Sequence, residues 1–157
     1  MRDMLNTTQC YIRSGDEVLM QHRVKKEDDE NHDKWIGVGG KFESGESPED
    51  CMLREVREET GLSLSSWRYR GIVTFVSDVW GTEFLHLFTA EVERFDPPDC
   101  DEGELVWLPW DALPSLPIWE GDKIFLRLLD EELPFFSLKL RYRGDELAEA
   151  VLNGKSL

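Results

Sequence analysis

The sequence predicts an α+β fold in which a mixed β-sheet is flanked by helices. Three observations carry this. Segments with the alternation or the β-branched and aromatic content of strands outnumber those with helical spacing. Neighbouring strand segments are mostly joined by connections of hairpin length. Two stretches, residues 47–61 and 118–132, instead space their apolar residues for a helix that covers a sheet. At 157 residues, with no repeat, low-complexity tract or linker, residues 1–157 are expected to form a single domain with a sizeable core.

The elements follow in order. TTQCYIR (7–13) and EVLMQHR (17–23) flank Ser14-Gly15-Asp16 and read as a hairpin. KKEDDENHDK (25–34) is a polar, charged loop. WIGVGG (35–40) reads as a short strand whose glycines let the backbone approach something closely. Ser47 is an N-cap, Pro48 fits the first helical position, Asp50 completes a capping box, and Gly61 is the C-cap. The buried stripe of that helix is Met52 and Val56, with Leu53 and Thr60 beside it. WRYRGIVTFVS (67–77) and EFLHLFTAEVE (83–93) are strands joined by a turn at Asp78–Thr82. A loop rich in acids and proline (94–104) leads to the strand LVWL (105–108). A second helix with Ile124, Phe125, Leu128 and Leu129 inward precedes a last hairpin around Arg143-Gly144-Asp145.

The formal charge is −15, from 33 acidic and 18 basic side chains. Such a chain repels long polyanions and anionic membranes, so neither a nucleic-acid polymer nor a membrane surface is an expected partner. A small anion remains compatible where a divalent metal screens the carboxylates. Cys10, Cys51 and Cys100 are odd in number and widely spaced, which predicts no disulfide framework or zinc site; His22, His32 and His86 show no ligand spacing. With no signal peptide and no run of about 20 apolar residues, a cytoplasmic protein is expected.

Glu55, Glu58 and Glu59 are expected to share one mostly polar face of the helix, away from its buried stripe, with Glu46 close by. Like charges three and four residues apart repel, so the cluster is either a solvated face or a platform awaiting a cation. A solvated face accounts for the acids but not for Gly40, Arg54 and Gly61 at their spacing. Hard carboxylate oxygens suit Mg²⁺, with Mn²⁺ as a substitute. Arg54 reads as an internal partner orienting Glu46 or Glu55 through a bidentate contact.

The spacing is Gly40, five residues, Glu46, seven residues, Arg54-Glu55-Val56, one residue, Glu58-Glu59, one residue, Gly61-Leu62. Every element of the Nudix box is present, and the chain resembles a Nudix hydrolase. The resemblance implies the Nudix fold, an α/β/α sandwich, and cleavage of a nucleoside diphosphate linked to another group. It also implies that Glu55, Glu58 and Glu59 hold metal, joined by the backbone carbonyl of Gly39 and by a carboxylate of a later loop. For that last ligand Glu102 is the first choice and Glu104 the second. Glu58 and Glu102 are both candidates for the base that activates water. Arg23, at the end of the first hairpin, and Lys41, beside the box glycine, are candidates to meet phosphate.

KWIGVGGKFESGE, WEGD and PFFSLKLRYRGDEL further resemble the bacterial MutT/MutX-type enzymes that hydrolyse oxidised purine nucleoside triphosphates, 8-oxo-dGTP above all. By similarity to the mammalian oxidised-purine triphosphatases, Trp119 takes the place of a base-stacking tryptophan and Asp122 that of the second of two base-reading aspartates. Gly121 stands where the first would be, with Glu120 as a possible substitute, and Ile36 stands where an asparagine would be. Phe75 is a candidate second aromatic wall. The expected substrate is a small nucleotide, hydrolysed to the monophosphate and pyrophosphate. The alternatives are ADP-ribose, a dinucleoside polyphosphate or NADH, and a nucleotide-sensing domain without catalysis.

Overall fold

Residues 4–24, 29–99 and 103–157 are described in the computed structural model. They form a nine-stranded sheet: β1 (Leu5–Ser14), β2 (Glu17–His22), β3 (Trp35–Ile36), β4 (Arg68–Ser77), β5 (Gly81–Glu91), β6 (Glu104–Pro109), β7 (Phe136–Arg143), β8 (Glu146–Leu152) and β9 (Lys155–Ser156). The helices are α1 (Pro48–Thr60) and α2 (Glu120–Asp130), and a 3₁₀ helix spans Trp110–Ser115. The sheet order is β3-β2-β1-β5-β4-β7-β8-β9, with β6 paired to β2. The fold is α+β, as expected.

The sheet is mixed because two of its pairings are parallel. β1 runs beside β5 from Leu5↔Glu83 to Arg13↔Glu91, and β4 runs beside β7. Alternation along the central strands then feeds two cores. Cys10, Ile12 and Phe88 pack with Met52 and Val56 of α1. Tyr11, Leu87, Val73 and Leu138 pack with Phe125, Leu128 and Leu129 of α2. The two helices thus cover opposite faces.

WIGVGG is not one continuous strand. Only Trp35 and Ile36 pair with β2, after which the chain crosses to β1 and bridges it at Cys10↔Val38 and Thr7↔Lys41. The crossing is possible because β1 pairs with β2 only over Ile12–Ser14, leaving the first part of β1 open on that side. A Cβ on Gly39 would lie 1.9 Å from the Thr8 carbonyl oxygen, so only glycine passes so close to β1. The 3₁₀ helix and β9 are additions to the elements expected from the sequence. Among the described residues, no helix is long and apolar enough to cross a membrane.

Candidate active site

The box helix is built from local signals. Ser47 Oγ accepts from the Asp50 backbone N–H and the Asp50 carboxylate accepts from the Ser47 N–H, each at 3.1 Å. Gly61 closes the helix at φ 79, a left-handed conformation costly for a side chain with a Cβ. The helix therefore starts and stops where the glutamates need to face the crossing segment.

Arg54 organises the acids. Its Nε and Nη2 donate to the two oxygens of Glu46 at 2.6 and 2.9 Å, a bidentate pair. Nη1 reaches Glu55 at 2.7 Å and Glu58 at 3.3 Å, and Nη2 also donates to the Lys41 carbonyl at 3.0 Å. Both candidate partners of Arg54 are therefore engaged. The guanidinium, helped by the Glu43 backbone N–H, holds the Glu46 carboxyl down at about 2, while the Arg54 pKa is raised. Gly40 supplies the space: a Cβ there would lie 2.6 Å from the Glu55 carboxyl carbon.

The three metal-ligand candidates do not share one polar face. Glu58 is 59% exposed, whereas Glu59 is buried and accepts from Gln21 Nε2 at 3.1 Å. Glu59 lies three residues after Val56, which turns it partly toward the sheet. Among the described residues no three His, Cys, Asp or Glu side chains converge as a metal-binding group. Glu102 lies outside the described residues, and Glu104 is an exposed residue at the start of β6.

Beside the box opens a cleft of about 490 Å³ whose lining includes Gly39, Gly40, Lys41, Glu55, Arg23, Gln9, Asn31 and Glu83. Lys41 is exposed. Arg23 is held by Asp29 at 2.7 Å and by Gln21 Oε1 at 3.0 Å, so it fixes Asp29 as well as lining the cleft.

The cleft continues through Gln9, Glu30, Asn31 and Glu83 into a recess of about 30 Å³, walled by Phe75, Trp119, Asp122 and Phe125. Trp119 is 5% exposed, and its ring meets Phe75 edge-on at 5.3 Å and 74°. The two aromatics therefore touch each other and are not parallel walls held apart for a base. Lys34 Nζ lies 4.6 Å from the Trp119 ring centroid. Burial, with Glu83 adding like charge, pushes the Asp122 carboxyl up to about 8 against the pull of Lys34 and the Trp119 backbone N–H. At neutral pH it is a protonated acid able to donate a hydrogen bond.

Glu120 falls outside this recess; it is exposed and pairs with Lys123 at 2.9 Å. Gly121 is fixed by packing. Its N–H donates to the Tyr142 hydroxyl at 2.7 Å, and a Cβ would lie 2.4 Å from Leu140 Cδ1. Ile36 is buried and lines the larger cleft.

Three residues here were not singled out from the sequence. Asn31 Oδ1 accepts from Trp119 Nε1 at 2.9 Å. Gln9 Oε1 accepts from the Tyr11 hydroxyl at 2.8 Å and from the Gly37 N–H at 3.1 Å. Glu83 Oε2 accepts from Thr7 Oγ1 at 2.6 Å. The available signal was a polar residue directly before the apolar run of a strand, as at Gln9 before Cys10-Tyr11-Ile12 and Glu83 before Phe84-Leu85.

Residues 5–129 match the NUDIX domain family, and the chain belongs to it. It is a Nudix hydrolase, an enzyme acting on pyrophosphate bonds. It is 30% identical over 128 residues to the uncharacterized Nudix hydrolase YvcI of Bacillus subtilis, covering 78% of this chain and 77% of that one. It is 32% identical over 104 residues to the oxidized purine nucleoside triphosphate hydrolase of Mus musculus, covering 65% and 66%. The crystal structure of the mutator MutT protein of Bacillus halodurans superposes with a TM-score of 0.82 at 25% identity, covering 96% of this chain and 99% of that one.

Proposed function

We propose that the chain hydrolyses an oxidised purine nucleoside triphosphate, 8-oxo-dGTP in the first place, to the monophosphate and pyrophosphate, and so cleanses the nucleotide pool. The observation that carries this reading is the continuity of the cleft. Glu55 of the box and Lys41 line one end, and a recess with a protonated Asp122 and the edge of Trp119 lies at the other. Triphosphate at the first end and purine in the larger cleft, with only its edge toward the recess, is the orientation that satisfies both. The mouse relative's name agrees with it.

The donor set of Glu55, Glu58 and Glu59 is hard oxygen throughout and fits Mg²⁺ or Mn²⁺, with the Gly39 carbonyl and Glu102 as further ligands. When bound, the cation supplies charge neutralisation at phosphate oxygens and a water of lowered pKa. Arg54 holds Glu46 and Glu55 in place, while Glu58 and Glu59 would have to turn toward Glu55 to complete the set. Glu58 or Glu102 takes the proton of the attacking water as its oxygen bonds to phosphorus and the α–β bridge opens. Lys41 and Arg23 face the departing charge. Asp122 donates to a base acceptor, and Asn31 holds Trp119 against the base.

The test is pyrophosphate release with Mg²⁺ from 8-oxo-dGTP, dGTP and dCTP, with ADP-ribose and a dinucleoside polyphosphate assayed in parallel. A kcat/KM preference for 8-oxo-dGTP of roughly a hundredfold over dGTP, about 2.7 kcal/mol at the transition state, is expected. Equal or better turnover of ADP-ribose or the dinucleoside would leave the box chemistry standing and overturn the substrate.

A further inference from the structure

A second cavity, of about 390 Å³, lies at the opposite end of the central strands and shares no lining residue with the cleft or its recess. Arg13 lines it on β1, whereas Thr7 of the same strand lines the cleft; six residues of strand place the two roughly 20 Å apart. In a chain of charge −15, this cavity gathers Arg13, Arg68 and Arg70 between Trp67 and Trp110, with Glu91 and Glu132 as its acids.

Arg70 is 5% exposed, and its guanidinium donates to Thr89 Oγ1, the Leu129 carbonyl and Glu132 Oε2 at 3.1–3.2 Å. Arg68 reaches the same Glu132 oxygen at 2.7 Å. The Arg13 guanidinium is held 4.3 Å from the Trp110 ring centroid. One carboxylate oxygen thus serves two guanidinia, and it comes from a residue just past the end of α2 in a left-handed conformation, φ 55. Anchoring of α2 explains the contact of Arg70 with the Leu129 carbonyl. It accounts only in part for Arg13, which reaches the exposed Asp130 at the end of α2 at 4.0 Å, and not for Arg13 and Arg68 facing the same open, tryptophan-walled volume. The volume is in the range of small-ligand sites and far exceeds a bare phosphate.

We propose that this cavity is a second ligand site, separate from the Nudix cleft, that takes a small phosphomonoester. Its phosphate sits among Arg13, Arg68 and Arg70, where Glu132 now stands in for the anion, and its organic part lies against Trp67. Guanidinium forks match phosphate oxygens more fully than a single carboxylate oxygen does.

Calorimetric titration of the whole chain in EDTA tests the site without relying on turnover, with guanosine 5′-monophosphate, ribose 5-phosphate and inorganic phosphate as probes. Saturable one-to-one binding of the monoesters is expected, weakened about tenfold or more by Arg68→Ala and by Arg13→Ala. Arg68 is 59% exposed, so its replacement spares the core. Glu132→Gln, which removes the competing charge, is expected to tighten binding severalfold, and Lys41→Ala in the other cleft to leave it unchanged. Absence of saturable binding would overturn the site, as would binding lost in Lys41→Ala and kept in Arg13→Ala and Arg68→Ala. Inorganic phosphate binding as tightly as the monoesters would overturn the role given to Trp67.

Discussion

Trp119 Nε1 donates to Asn31 Oδ1 at 2.9 Å, joining two residues 88 positions apart in the chain. The bond ties the segment before β3 to the wall of the recess. Residues 29–31 are themselves held, by the 2.7 Å Arg23–Asp29 ion pair and by the Asn31 N–H donating to Asp29 Oδ1 at 3.1 Å. Loss of the bond frees the indole to turn without touching the box. Asn31→Ala is therefore expected to raise KM for an oxidised purine triphosphate roughly tenfold with kcat within about twofold, the signature of lost binding. Steady-state kinetics on both parameters decide it; an equal fall in kcat would place Asn31 in the chemistry.

Gly40 and Glu55 make a second test. A methyl group at position 40 meets the Glu55 carboxyl at 2.6 Å and displaces it from Arg54. Gly40→Ala is expected to weaken Mg²⁺ binding about 10- to 100-fold, the range for disturbed support around a metal ligand. Activity against Mg²⁺ concentration measures it, and an unshifted half-saturation point would show that Glu55 is not a ligand.

Glu58 carries the sharpest catalytic expectation. Replacement by Gln keeps size and removes the charge, and turnover should fall on the order of 10²- to 10⁴-fold if Glu58 takes the proton of the attacking water. Turnover near wild type would return that role to Glu102.

The buried acid at 122 makes stability depend on pH in a defined direction. Its ordinary pKa is 3.8 and its folded value about 8. Below 3.8 it is protonated in both states and costs nothing. Between 3.8 and about 8 the unfolded chain ionises while the folded one does not. Stability contributed by this group therefore falls as pH rises, by about 1.4 kcal/mol per unit, and the loss is complete above the folded value. Relative to wild type, Asp122→Asn should gain stability steadily from pH 5 to pH 8 in urea unfolding. A constant difference across that range would mean that the carboxyl is ionised when folded.

Position 121 tests why an acidic residue does not fit there. Gly121→Asp drives a Cβ to 2.4 Å from Leu140 and 2.7 Å from the Tyr142 hydroxyl oxygen. It is expected to cost about 1–3 kcal/mol in thermal or denaturant unfolding, the usual range for overpacking. Unchanged stability would show that α2 moves to make room.

What the chain announces in its linear order is what short-range physics decides. The Ser47–Asp50 capping box, the left-handed Gly61 and the i, i+3, i+4 spacing of Glu55, Glu58 and Glu59 all lie within one helix, so they are readable from neighbours in sequence. The pairing of Arg54 with Glu46 is nearly as local, eight residues apart. Alternation and turn residues likewise marked most strands. The division of labour among the acids belongs to the tertiary structure. Glu59 is buried on Gln21 because Val56, three residues before it, faces the sheet, and no helical pattern states which strand residue waits there. The crossing of residues 37–41 to β1 depends on where β1 and β2 part, and the parallel β1–β5 and β4–β7 pairings join segments distant in sequence. Asn31 against Trp119 and the neutral Asp122 arise the same way. Chain segments that carry no signal for one another are brought together by burial of both faces of the sheet, and the excluded water then sets which side chains pair and which acid stays protonated.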